Sequence, residues 1–157
     1  MTLRYGVVPP AEATSVDGIM FLRDMLARKH PAPPISETMG FILTEVAEGL
    51  AVFEGTPTAA FLNPLSTIHG GWTATILDSA LGCAVHTMVK AGQGYTTIEM
   101  KMNLVRALQP GIGPVRCEGR VVHMGRNIAT SDAKLFLPDG KLAAHATETC
   151  MIFAARV

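Results

Sequence analysis

The chain has 157 residues, 48% of them hydrophobic, which is enough for one domain with its own core. Its 13 basic and 13 acidic residues leave a formal charge of zero, so nothing favours nucleic acid or an acidic membrane surface as the partner. The N-terminus lacks a long apolar segment, and no run approaches the roughly 18 apolar residues of a membrane span. We therefore expect a cytoplasmic protein.

In chain order, Asp17 is placed to cap a short helix that runs to about residue 29, where a proline-rich stretch ends it. Two strands joined by a turn at Glu48-Gly49 come next, then one long helix, then four strands separated by turns rich in glycine and proline. The predicted strands are 38–46, 50–53, 96–107, 113–124, 127–137 and 141–154, and the long helix is 71–89. This order predicts an α+β fold with an antiparallel sheet wrapped around one helix.

The long helix carries a single acid among apolar residues. Apolar side chains recur along it at three- and four-residue spacing, which predicts a buried helix. Gly71, Thr75, Asp78 and Gly82 fall on one side and form a small or polar stripe. A carboxylate there must be hydrogen-bonded, paired or hydrated, and burial raises its pKa toward the range of a general base. Asp78 is a candidate catalytic residue, the alternative being an acid that braces a neighbouring helix.

The start of this helix offers the complementary chemistry. Free N–H groups at a helix N-terminus carry positive partial charge, and glycines at positions 70 and 71 allow a substrate oxygen to approach closely, so Gly70 or Gly71 can polarise a carbonyl. At about 1.5 Å per residue, Asp78 lies on the order of 10 to 12 Å from that point. Two antiparallel copies bring the start of one helix to the acid of the other, which predicts a homodimer with two sites.

Three motifs together resemble a known family. They are Asn63-Pro64, His69-Gly70-Gly71, and Asp78 followed by Ser79-Ala80. This pattern resembles the hotdog-fold acyl-CoA thioesterases, specifically the phenylacetate-pathway (PaaI-like) branch of the 4-hydroxybenzoyl-CoA thioesterase superfamily. Segments 97–106, 125–126, 139–141 and 144–147 also resemble the later strands of that family, whereas residues 65–66 and 107–108 depart from its pattern. The resemblance implies a hotdog domain at 36–157, preceded by an extension at 1–35 that holds the short N-terminal helix.

The resemblance also implies roles for single residues. His69 is expected to hold the site and its oxyanion loop, and the Asn63 amide to position the thioester or the water, although Asn63 is equally able to cap the turn before Pro64. Thr97 is expected to orient the attacking water from the inner face of its strand, with Thr96 as the alternative if the register differs by one residue. For coenzyme A the candidates are Arg106, Arg126, Lys141 and His145, although ordinary solvated charge explains these four equally well.

The expected reaction is hydrolysis of an acyl-CoA thioester, with Asp78 as general base or as nucleophile through a mixed anhydride. No cofactor and no metal are expected, because Cys83, Cys117 and Cys150 form no CxxC pair and fit reduced, buried thiols. The family's habit favours a homotetramer built from two dimers. The nature of the acyl group, aromatic or fatty, stays open.

Two other functions compete with thioester hydrolysis. One is a hotdog dehydratase or hydratase acting on 3-hydroxyacyl or enoyl thioesters. For such an enzyme we expect a His-Phe-Pro motif with a helix Glu, or an Asp-and-His pair within an extended hydratase motif, and the sequence has neither motif. The other is a non-catalytic acyl-CoA-binding protein on the same fold, which more naturally lacks the helix acid or carries a DNA-binding appendage.

Overall fold

The structure, a computed structural model, describes residues 2–155. In that range the elements are α1 (Pro10–Ala13), α2 (Gly18–Leu26), α3 (Pro34–Met39), β1 (Phe41–Ala47), β2 (Leu50–Gly55), α4 (Gly70–His86), β3 (Gln93–Leu104), β4 (Val115–Met124), β5 (Ile128–Phe136) and β6 (Leu142–Ala154). A single 3-10 turn at Ala59–Phe61 precedes α4. The α+β order predicted from the sequence is confirmed.

The six strands form one sheet in the order β1-β2-β4-β5-β6-β3, and all neighbouring strands are antiparallel. The central helix α4 contacts five of them, β4 most extensively. Gly119 on β4 allows this approach, because a Cβ there would lie only 2.1 Å from the carbonyl oxygen of Ala80. This sheet, with one face covered by a long buried helix, is the predicted hotdog arrangement.

The core lies between α4 and the inner face of the sheet. Strand β5 shows how the sequence builds that face, because Ala129, Ser131, Ala133 and Leu135 are buried and alternate with more exposed residues. On α4 the buried side chains include Trp72, which packs edge-to-face against Phe41 at a ring distance of 6.4 Å. α4 is therefore held in place along most of its length.

The N-terminal segment packs onto the end of α4. The Gly18 N–H donates to the Val89 carbonyl at 2.9 Å, and the Asp17 carboxylate accepts from the Ala91 N–H at 2.9 Å and from Lys90 Nζ at 3.3 Å. Asp17 does precede α2, as predicted, but its side chain caps no N–H of that helix. It accepts hydrogen bonds from Lys90 and Ala91 after α4 instead. The helix ends at Leu26, three residues earlier than predicted.

The prediction that the first strand begins at residue 38 is wrong. Thr38 lies in α3, a short helix that the sequence analysis missed, and β1 begins at Phe41. Pro34 occupies the first turn of α3, where a missing N–H costs nothing, and Gly40 ends the helix with φ of 69°. Helix α1 was also missed. Among the helices of residues 2–155, none is long and apolar enough to cross a membrane.

Candidate active site

A tight turn leads into α4. The Asn63 side chain holds it: Oδ1 accepts from the N–H groups of Leu65 and Thr67 at 2.9 and 3.2 Å, and Nδ2 donates to Thr67 Oγ1 at 2.8 Å. These bonds are the turn-capping alternative considered for Asn63. In the single protomer its amide is thus engaged within its own loop, and a part in positioning substrate stays a prediction.

His69 caps the start of α4. Its Nδ1 accepts the Gly71 N–H at 2.8 Å, so in the neutral ring the hydrogen is on Nε2. A Cβ at Gly71 would lie 2.9 Å from this Nδ1, which explains the glycine. The Gly70 N–H, by contrast, has no acceptor within residues 2–155. Of the two glycines proposed to polarise a carbonyl, Gly70 is therefore the one with an N–H to offer.

Asp78 lies two turns further along α4, on the wall of a cavity of about 440 Å³. Its carboxyl is exposed toward this space in the single protomer, yet the surrounding walls remove part of its hydration and raise its pKa, against a hydrogen bond with Glu148 that lowers it. Because α4 is a regular helix over all 17 residues, Asp78 and the Gly70 N–H lie about 12 Å apart along the axis. One protomer thus keeps the acid and the free N–H apart.

The rest of the cavity wall is largely apolar. The N-terminal segment forms one side of it, the strands β1 and β2 another, and α4 with β3 the third. The lining includes Leu3, Met25, Leu26, Pro33, Ile42, Leu43, Phe53, Asp78, Gly82, Cys83, Tyr95 and Thr97. The polar lining also includes Arg28, Ser36, Thr44 and Ser79. A mostly apolar wall with an acid among these polar groups suits an acyl group with a reactive carbonyl.

Thr97 shares the cavity with Asp78. A β-bulge falls between Thr97 and Glu99, and Thr97 pairs with the buried Cys150 of β6, so its side chain lies on the inner face of the sheet. Its hydroxyl donates to Glu148 Oε1 at 3.2 Å. The register is the predicted one, with Thr97 inside rather than Thr96. The role of Thr97 in orienting water stays a prediction.

Glu148, which was not predicted as a site residue from the sequence, is 1% exposed and lies beneath α4. Its Oε1 also accepts from the Cys150 thiol at 2.8 Å. Burial raises the pKa of Glu148 to about 7, and the neighbouring charge of Asp78 adds to the rise while Thr97 and Cys150 oppose it. A signal was present, because the even-numbered positions of β6 from Ala144 to Ile152 are small or apolar except for this acid.

The four basic candidates for coenzyme A do not cluster in one protomer. Arg106 follows β3 and donates to the Leu142 carbonyl, close to Lys141, which pairs with Asp139 at 2.7 Å. Arg126 lies in the β4–β5 turn, at the other end of β5, which at 3.3 Å per residue is on the order of 25 Å away. His145 is half-buried on β6, opposite Lys134 of β5.

Burial shifts the pKa of several other groups in this part of the domain. Cys83, Cys117 and Cys150 are free thiols, and burial raises the pKa of Cys83 to about 12. Burial lowers the pKa of His86 to about 4, since its ring packs between Phe21 and Tyr95 at 5.5 and 5.2 Å. No group of three or more metal-binding side chains occurs within residues 2–155.

Comparison with known proteins identifies the family. Residues 65–144, just over half of the chain, match the family model described as the thioesterase superfamily. A phenylacetic acid degradation-related protein from Ralstonia eutropha JMP134 is 30% identical, with 82% of this chain and 97% of that chain covered and a TM-score of 0.75. The chain belongs to the thioesterase superfamily. Within it, the protein is a PaaI-like hotdog thioesterase, and membership makes it a thioester hydrolase.

Two further structures place this thioesterase among its relatives. A single-residue variant of the phenylacetic acid degradation protein PaaI from Thermus thermophilus is 30% identical, with 75% of this chain and 97% of that chain covered and a TM-score of 0.69. The PaaI protein from the Escherichia coli phenylacetic acid degradation operon is 18% identical, with 90% and 98% covered and a TM-score of 0.75, a likeness of fold alone. No curated protein sequence matches the chain. Glu148 lies outside the segment that the family model matches.

Proposed function

We propose that this thioesterase hydrolyses acyl-CoA thioesters at two sites shared across a homodimer. The observation that carries the proposal is the position of Asp78, an acid with a raised pKa on the wall of a largely apolar cavity. Relatives described by their part in phenylacetic acid degradation support a small activated acid as the acyl group. An aromatic ring and a short fatty chain both fit the apolar lining.

In the proposed mechanism, the Gly70 N–H of one subunit donates a hydrogen bond to the thioester carbonyl oxygen, which takes negative charge as the bond to the nucleophile forms. The Asp78 carboxylate of the other subunit drives the attack, either by taking a proton from water or by attacking the carbonyl carbon itself. The carbon–sulfur bond then breaks, and coenzyme A leaves as a thiolate that takes up a proton. In the second route this step leaves a mixed anhydride on Asp78, which water hydrolyses to release the free acid and restore the carboxylate. Thiolate is a good leaving group, so the site requires no strong acid.

The dimer is supported by the edge of the sheet. Strand β3 pairs with β6 on one side and is the last strand of the sheet on the other, with 12 residues available. It exposes Ile98 and Leu104, by 57% and 53%. A long exposed edge with apolar side chains is a place where a second copy adds its own strand. The start of α4 lies beside this edge, because a Cβ at Gly70 would lie 3.0 Å from Leu104 Cδ1.

We further propose that two dimers form a cytoplasmic homotetramer. Val122 on β4 is 67% exposed and is available for contact between dimers. The three free thiols are consistent with a reducing compartment. The predicted coenzyme A contacts from Arg106, Arg126, Lys141 and His145 belong to the same proposal, with the two ends of the sheet supplied by different subunits.

The test measures thiol release from phenylacetyl-, benzoyl-, hexanoyl- and palmitoyl-CoA by the purified protein, beside Asp78→Asn. We expect turnover with at least one substrate and a loss of at least roughly 10³-fold in the variant. Glu48→Gln, which removes a carboxylate from the exposed β1–β2 turn, is the matched control and retains the wild-type rate. Equal rates with and without Asp78 reject the assignment, and saturable binding without turnover identifies a silent acyl-CoA-binding protein.

A further inference from the structure

Glu148 has an unsatisfied oxygen in the protein interior. Its Oε1 accepts from Thr97 and Cys150, but its Oε2 is buried and has no hydrogen-bond donor within residues 2–155. A buried carboxylate oxygen without a donor is costly, whereas the same oxygen bearing a proton becomes a donor itself. Oε2 therefore favours the protonated carboxyl, provided that an acceptor lies nearby.

Asp78, on the face of α4 that covers Glu148, is the candidate acceptor. Gly82, one turn beyond Asp78 on the same face of α4, lies next to Glu148, since a Cβ at Gly82 would be at van der Waals distance, 3.8 Å, from Glu148 Oε1. A hydrogen bond between the Asp78 and Glu148 carboxyl groups would lower the pKa of Asp78 and raise that of Glu148, which puts the charge on Asp78 and the proton on Glu148. The other titratable or polar groups around Glu148 are Cys83 of α4, Tyr95 and Thr97 of β3, Ser131 of β5 and Cys150 of β6.

None of those other groups competes for the proton. Burial raises the pKa of Tyr95 and of the Cys83 and Cys150 thiols, so all three are neutral near pH 7. The Thr97 hydroxyl and the Cys150 thiol donate to Oε1 and thereby fix the orientation of the Glu148 carboxyl. Asp78 and Glu148 thus form a pair of acids of which one faces the cavity and the other is enclosed.

We propose that Glu148 is a positioning residue that retains its proton and donates it in a hydrogen bond to Asp78, so that Asp78 stays ionised and aimed into the cavity. The inference rests on the proposed function insofar as Asp78 drives the hydrolysis. Glu148 itself touches no substrate in this scheme, and the proton removed from water goes to Asp78. The two acids share one proton. Asp78 carries the negative charge that catalysis needs, and Glu148 donates the hydrogen bond that holds Asp78 in place.

The first test is the pH profile of kcat/KM for the wild type, Glu148→Ala and Glu148→Gln. We expect the acid limb to move to higher pH by roughly one unit in Glu148→Ala, because Asp78 loses a hydrogen-bond donor and is protonated more easily. In Glu148→Gln the amide oxygen accepts from Thr97 and Cys150 while the amide N–H replaces the donated proton. That variant therefore keeps the wild-type acid limb.

A purely structural role for Glu148 predicts a different pattern. Such a role lowers the amount of folded protein in both variants without moving the acid limb of the pH profile. That result overturns the proposal. Ser131→Ala is the matched control, because Ser131 lies directly opposite Glu148 on β5 and its Oγ also lacks a partner within the described residues. We expect Ser131→Ala to leave the limb in place. If the acid limb shifts in Ser131→Ala as much as in Glu148→Ala, the Glu148 proton is donated to Ser131. That result contradicts the pairing with Asp78.

The second test needs neither turnover nor a stable variant. Carbon-13 labelling of the carboxyl groups in the wild-type protein reports the protonation of Asp78 and Glu148 by NMR as pH is varied. We expect Asp78 to ionise first and Glu148 to remain protonated until the pH approaches 7. Ionisation of Glu148 together with ordinary exposed glutamates overturns the inference. If no thioester is hydrolysed, the proposed function fails, and this titration still decides the pairing.

Discussion

Nδ1 of His69 accepts a 2.8 Å hydrogen bond from the N–H of Gly71, two residues further along the chain. Because this bond occupies Gly71, it leaves Gly70 as the donor at the start of α4. His69 thereby sets which backbone N–H is free, without touching a substrate itself. The same bond satisfies one of the N–H groups that every helix start leaves without a partner.

We predict that His69→Ala destabilises the protein by about 1 kcal/mol, the usual loss for a helix cap, and lowers kcat by roughly 10²-fold as the Gly70 N–H moves. Gly71→Ala is expected to act in the same direction, because its Cβ would displace the imidazole from a distance of 2.9 Å. Urea unfolding and initial rates measure the two effects. The exposed His123→Ala is the control, and a catalytic loss as large there rules out a specific role for His69.

Ile98 on the exposed edge of β3 is predicted to be needed for the dimer. Ile98→Lys places a charge where a second copy adds its strand, so we expect monomers in light scattering and a parallel loss of activity. The control is Val122→Lys on β4, also exposed and β-branched, which is expected to keep the dimer and its turnover even if it separates dimers of a tetramer. A folded, fully active monomer would disprove the shared site.

Met25 on α2 is predicted to limit the length of the acyl group. Met25→Trp fills part of the cavity, so KM for hexanoyl-CoA is expected to rise roughly tenfold, with a much smaller change for acetyl-CoA. Met20 lies on the same helix, is 50% exposed and does not line the cavity, which makes Met20→Trp the matched control. Equal changes for both chain lengths would show that the acyl group lies elsewhere.

The buried Glu148 is predicted to make stability depend on pH. Its folded-state pKa of about 7 lies above the ordinary value of 4.5, so its stabilising contribution is complete below 4.5 and is lost as the pH rises through 7. Over that window the wild type is expected to lose on the order of 2 kcal/mol of unfolding free energy relative to Glu148→Gln. Urea titrations at several pH values measure it. Glu48→Gln serves as control, and a constant difference between wild type and Glu148→Gln would refute the shift.

Arg106 and Arg126 are predicted to contact the nucleotide part of coenzyme A. Replacing either by Ala is expected to raise KM for the acyl-CoA roughly tenfold, and to leave KM unchanged for the matching acyl-pantetheine thioester, which lacks the nucleotide. Arg120→Ala, which breaks a surface ion pair with Glu118 on β4, is the control. Equal effects on both substrates would place these arginines outside the coenzyme A site.

The sequence predicted the elements that follow simple periodicity. α4 and the four later strands appear within three residues of their predicted bounds, because an apolar helix and alternating strands leave clear patterns. The short helix α3 was not predicted, because its six residues are too few to show a helical repeat of apolar side chains and because it begins at a proline. Thr38 was consequently assigned to a strand, whereas the helix-ending Gly40 separates it from β1.

The candidate site was predicted more fully on the helix than on the sheet. Asp78 and Gly70 were predicted from the sequence because a lone acid in an apolar helix and a glycine at a helix start are visible in the order of the chain. Glu148 becomes meaningful only when β6 is placed under α4, a contact between residues about 70 positions apart in the chain. The N-terminal wall of the cavity is the same kind of feature, because Met25 and Asp78 meet only after the chain has folded.

The eight-residue separation of Gly70 and Asp78 on one rigid helix has a genetic consequence. If each site takes its donor from one subunit and its acid from the other, a subunit without Asp78 and a subunit with a damaged Gly70 are each inactive alone. A mixed dimer of the two contains one site with both groups intact and one site with neither. Two defective alleles expressed together would then restore activity that neither provides by itself.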